Sequence, residues 1–113
     1  MKYPKIMNTK PLSETNITLE LCILEDIVYF SGHFPNQPIL PGIVQLDWAL
    51  HYANEYLCIN KEKFRHIQQM KFTQVIPPNT KLFLDIRLES EILSFKYYHK
   101  NTVYSLGKLR IKP

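Results

Sequence analysis

Cysteine is scarce in this chain: Cys22 and Cys58 are the only two in 113 residues. With neither a second pair nor metal-ligand spacing, a disulfide framework and a zinc site have nothing to rest on. Both cysteines read as reduced packing residues, and no metal is expected. Blocks of like charge are also absent. The 14 Lys and Arg against 10 Asp and Glu give a formal charge of +4 that is spread along the sequence. Without a basic block, or basic residues interleaved with Gly and aromatics, a nucleic-acid platform is not expected. Long apolar runs are missing too. Met1 to Lys10 carries Lys2 and Lys5 but no hydrophobic stretch of signal length, and nothing approaches the roughly 18 to 20 apolar residues of a membrane span. A cytoplasmic protein with no membrane span is therefore expected. There are no internal repeats and no low-complexity tracts.

What is present is a hydrophobic fraction of 45% and an aromatic fraction of 12%. Residues 1–113 fit a single domain, since domains commonly run to about 100 to 150 residues. A chain this short leaves much apolar surface uncovered, which makes a homodimer the default, with higher oligomers open.

After a Pro-bearing lead-in (Pro4, Pro11), Ile17, Leu19, Leu21 and Ile23 occupy every second position of Asn16 to Leu24, a strand pattern. Ile27 to Ser31 supplies a second short β-type run. Pro35, Pro38 and Pro41 then stiffen an extended loop. It feeds a helix from Gly42 to Cys58 whose apolar set, with Trp48, Tyr52 and Tyr56 as packing residues, is too wide for an ordinary surface helix. Strand patterns return at Phe64 to Ile76, Lys81 to Ser90, Ile92 to His99 and Thr102 to Ile111, with turns at Pro77-Pro78-Asn79 and Lys100-Asn101. One apolar helix among about six strands predicts an α+β fold, an antiparallel sheet curled around the helix. A five-stranded oligonucleotide barrel competes less well, because its helix plugs one end and needs no apolar residues nearly all round.

The stretch from His33 to Asp47, HFPNQPILPGIVQLD, resembles the signature of the 3-hydroxyacyl-[acyl-carrier-protein] dehydratases, FabZ/FabA-like hot-dog proteins. It combines His-Phe-Pro, two further prolines, a Gly opening the helix, and a carboxylate fourteen residues after the His. Its wording is most similar to the dehydratase-like proteins of aryl-polyene biosynthesis. The resemblance implies a hot-dog homodimer with two sites at the subunit interface, each using the His of one chain and the helix carboxylate of the other. It further implies an acyl carrier protein as partner, with the substrate on the carrier's phosphopantetheine arm and no cofactor of the enzyme's own. Asp47 stands where most simple dehydratases have Glu, and Ile43 where the isomerase branch often has Cys.

The residue chemistry points the same way. Removing water from a 3-hydroxyacyl thioester needs a base for the α proton, a group serving the departing hydroxyl, and stabilisation of enolate charge on the thioester oxygen. His33 in its stiff loop suits the base, because an imidazole titrates near about 6.5. Asp47 suits the hydroxyl. The amide of Gly42, at the positive end of the helix and with no side chain to block a ligand, suits the oxyanion. Ile43, Phe34 and Pro41 complete the expected substrate-binding set. Against this stand plainer readings: His33 capping loop backbone, and Asp47 in a solvated stripe with His51, Asn54 and Cys58. Arg65, Lys71, Lys96, Lys100, Lys108, Arg110 and Lys112 read as solvated surface, or as contacts for an acidic carrier. Hydrolysis of an acyl thioester through Asp47, and a non-catalytic acyl-binding subunit, are the alternatives.

Overall fold

The computed structural model describes residues 2–30 and 38–112. Among the described residues six strands form one antiparallel sheet: β1 (Lys5–Ser13), β2 (Asn16–Ile23), β3 (Phe64–Phe72), β4 (Thr80–Glu89), β5 (Ile92–His99) and β6 (Thr102–Ile111). Their order across the sheet is β1-β2-β4-β5-β6-β3, so β1 and β3 are the edges. The one α-helix among the described residues, α1 (Gly42–Leu57), lies in the concavity.

Alternation builds this sheet. Ile17, Leu19, Leu21 and Ile23 of β2, with Leu82, Leu84 and Ile86 of β4, are buried against the helix, while Thr18, Glu20, Asp85 and Arg87 stand on the other face. Register continues the pattern across the strands. Leu19 lies opposite Leu84, Leu84 opposite Tyr97, Tyr97 opposite Ser105, and Ser105 opposite Phe72. That inward row crosses five strands, and a one-residue slip in any of them would turn its residue to the far face. Trp48, Ala49, Tyr52 and Ala53 of α1 fill the core between the arms of the sheet. Trp48 is fully buried, as its reading as a packing residue requires.

Three expectations need correcting. The lead-in is strand β1, whose residues are exposed except for the half-buried Ile6. It shows no alternation because an edge strand reaching past the helix has nothing to bury, and Pro11 is tolerated at an edge. The described part of the expected run at Ile27 forms no strand, and Ser31 lies outside the described residues: Val28–Phe30 is a 3-10 turn, with the Phe30 N–H on the Ile27 carbonyl at 3.1 Å. The strand beginning at Phe64 ends at Phe72, before the segment leading to Pro77 and Pro78. The helix, too, is wrapped on one side only. Ile43 is 72% exposed, and Asn54 and Glu55 face outward. Cys58 lies past the last turn in the left-handed conformation (φ 58°), its N–H on the Ala53 carbonyl. No helix among the described residues is long and apolar enough to cross a membrane.

Candidate active site

Pro41, extended at φ −61° and ψ 147°, is the last residue before α1. Its carbonyl accepts the N–H groups of Val44 (3.1 Å) and Gln45 (3.2 Å). The N–H groups of Gly42 and Ile43 meet no acceptor among the described residues. Among the described residues no side chain caps this end, and no acidic residue stands in the first turn. The positive end of the helix dipole is thus uncompensated by the helix's own side chains, the condition under which an incoming anion or oxyanion gains most.

A buried polar bridge holds this helix mouth in place. Gln45, only 3% exposed, donates from Nε2 to the Leu40 carbonyl (3.2 Å) and accepts at Oε1 from Ser105 Oγ (2.6 Å). The Tyr97 hydroxyl donates to the Gln45 carbonyl at 2.7 Å. Leu40 in turn donates its N–H to the Ile76 carbonyl (2.9 Å). The end of the proline loop is therefore tied to β5, β6 and the β3–β4 connection at once. Burial, with smaller repulsion from Tyr52 and Asp47, pushes the Tyr97 phenol well above its ordinary range, so it remains a donor.

Asp47 sits on the open flank of α1, five residues beyond Gly42 and so about 7 to 8 Å along the axis. It borders a hollow of about 420 Å³ whose other walls are Ile43, Val44, Leu46, Leu50 and Phe64. Its Oδ1 accepts from Lys61 Nζ at 3.1 Å; Lys61 belongs to a short 3-10 turn, Lys61–Lys63. His51, one turn beyond, pairs instead with Glu55 (3.4 Å) and stacks on Tyr3 with ring centroids 4.3 Å apart.

The absent side chain of Gly42 also makes room for a neighbouring ring. A Cβ there would come within 2.6 to 3.1 Å of three ring atoms of Phe72, so the room is taken by that ring, and a side chain at residue 42 would collide with it. A second hollow, of about 340 Å³, opens beside this contact, lined in part by Ile39, Gly42, Gln45, Phe72 and Val75. Of the expected site residues, Asp47, Gly42, Ile43 and Pro41 thus gather at one end and one flank of α1. His33 and Phe34 lie outside the described residues. Sequence reasoning missed Lys61, Phe72 and the Gln45 bridge. Gln45 gave one signal, a polar residue on the inner face of an otherwise apolar helix.

Comparison with known proteins places this geometry. Residues 8–108 match the family described as ApeI-like, ApeI dehydratase. The 3-hydroxyacyl-[acyl-carrier-protein] dehydratase FabZ of Acetivibrio thermocellus is 40% identical over 107 residues, covering 84% of this chain and 68% of that protein. The FabZ of Clostridium perfringens is 30% identical over 103 residues, covering 84% and 66%. The chain thus spans about two thirds of the length of these curated relatives. The solved structure described as the dehydratase heterocomplex ApeI:P from Xenorhabdus doucetiae superposes with a TM-score of 0.90 at 29% identity, covering 98% of this chain and 99% of that one. The sheet wrapped on its helix is the hot-dog fold, and the chain belongs to the ApeI-like dehydratase family.

Proposed function

We propose that this protein removes water from a 3-hydroxyacyl thioester held on the phosphopantetheine arm of an acyl carrier protein, giving the trans-2-enoyl thioester, in fatty-acid or aryl-polyene-type chain synthesis in the cytoplasm. The observation that carries the reading is the pairing, on one helix, of an uncapped N-terminus with a carboxylate that borders an apolar hollow. Gly42 N–H holds the thioester oxygen as enolate charge develops. His33 takes the α proton, the C3–O bond breaks with its electron pair on oxygen, and the Asp47 carboxyl gives that oxygen a proton so that it leaves as water. The proton taken by His33 is returned to Asp47 through solvent before the next turnover. Pro41, Ile43 and Phe34 border the bound acyl group.

The site is completed between two copies. Ile43, Ile67, Phe72 and Val75 are large apolar residues exposed on the open flank of α1, along edge strand β3 and just after it, so a second copy laid there covers apolar surface and an unpaired strand edge together. In that homodimer the His33 loop of one chain faces Asp47 of the other. The Xenorhabdus heterocomplex favours a second reading, in which a related subunit takes the place of the second copy.

The test follows enoyl absorbance as the purified chain meets a 3-hydroxyacyl carrier protein. Turnover by the chain alone, lost in His33→Ala and in Asp47→Asn, supports the homodimer reading. Turnover only after adding a related subunit supports the second. Thiol release without enoyl product would make it a thioesterase.

A further inference from the structure

We propose that Phe72 is a specificity-determining residue: its ring walls the helix mouth beside the Gly42 amide and limits substitution on the carbon next to the thioester carbonyl. This rests on the dehydratase reading above. Phe72 closes the inward row opposite Ser105, and its ring packs on the backbone of the residue whose N–H is offered to the thioester oxygen. A carbonyl hydrogen-bonded to that N–H at about 2.9 Å brings its α carbon within about 5 Å of the amide nitrogen, and the ring packs where a Cβ of that same residue would stand.

The ring is held from behind. Directly after Phe72, Thr73 donates its hydroxyl to the Val103 carbonyl and its N–H to the Tyr104 carbonyl (3.0 Å), and Gln74 N–H joins the same carbonyl at 3.2 Å. Phe72 stands outside the buried core, 52% exposed at the end of an edge strand, on the face that the second copy would meet. The ring covers Gly42 and also borders the hollow of about 340 Å³ lined in part by Ile39 and Val75. Trimming the ring enlarges that hollow beside Gly42, which already lines it. An α-methyl group then has somewhere to go, and a 2-methyl-3-hydroxyacyl thioester still carries the one α hydrogen that dehydration removes.

The experiment compares the intact protein with Phe72→Ala and Phe72→Leu on a straight-chain and a 2-methyl 3-hydroxyacyl thioester. It also compares their binding to the saturated straight-chain and 2-methyl acyl amides. The expected result is a rise on the order of tenfold in the branched-to-straight ratio of kcat/KM for Phe72→Ala, smaller for Phe72→Leu, with the binding ratio moving the same way. An unchanged ratio in both variants overturns the proposal, and so does an equal loss on both substrates, which is what a structural role alone produces. If the wild-type protein turns over neither thioester, alone or with a related subunit added, the dehydratase reading fails, and the two amides still decide whether the ring is the wall.

Discussion

Lys61 Nζ stands 3.1 Å from Asp47 Oδ1, joining the candidate carboxylate to a cation fourteen residues along the chain. Both side chains are close to half exposed, 44% and 45%, so the pair adds at most about 1 kcal/mol to stability. Its larger effect is on where the carboxylate points. Lys61→Met should leave the melting temperature within a few degrees of wild type while kcat falls roughly tenfold with KM little changed. Steady-state kinetics beside a thermal melt checks this. An unchanged kcat would reduce Lys61 to a surface partner.

The Gln45 bridge should behave as one unit. Gln45→Leu strands the Ser105 hydroxyl and the Leu40 carbonyl in the core and should cost about 2 to 4 kcal/mol, whereas the Tyr97 bond survives because it goes to the backbone. Ser105→Ala should cost about 1 to 3 kcal/mol. The double variant should lose less than the sum, since the two side chains share a hydrogen bond. Denaturant unfolding of the three variants measures the coupling, and strict additivity would dissolve the bridge.

Alkaline pH should unfold the protein through its buried phenols. Tyr97 is raised well above its ordinary value by burial, and Tyr52 is raised by burial and then by Glu55. In the unfolded chain both ionise near about 10. Below that value folded and unfolded states hold the same protons and the stability is complete. Above it the unfolded state has lost protons that the folded state keeps, so stability declines by about 1.4 kcal/mol per pH unit for each tyrosine until the folded phenol itself ionises. Tyr97→Phe should flatten that decline between about pH 10 and 11 by roughly the share of one phenol, as read by denaturant midpoints along the pH series.

Assembly should depend on the open flank of α1 and on β3. Ile43→Glu and Ile67→Lys place charge on exposed apolar positions, so they should leave the fold intact while shifting the protein from dimer to monomer. Light scattering with far-UV circular dichroism separates the two effects. A monomeric wild type would move the weight to a related partner subunit.

Much of this was legible in the sequence, and the limits have physical causes. β2 and β4 to β6 bury one face, so their alternation was plain, and the helix from Gly42 was marked by the proline loop and its apolar breadth. β1 hid because an edge strand with exposed residues carries no such pattern. The run at Ile27 was too short for periodicity to separate strand from turn. At the site, Gly42 and Asp47 were named by a local motif, and the structure sets them on one helix. Lys61, Phe72, Tyr97 and Ser105 reach that helix only through sheet register and the turn after α1, and no local spacing encodes such contacts.

The most direct test follows hydrogen at the α carbon. A 3-hydroxyacyl carrier protein deuterated at C2 should lose one deuterium and one water together in the presence of the wild-type protein, with slower turnover than the undeuterated substrate, and His33→Ala should abolish both losses. Product that keeps all of its C2 deuterium while thiol is released, or deuterium loss unaffected by His33→Ala, would contradict the account.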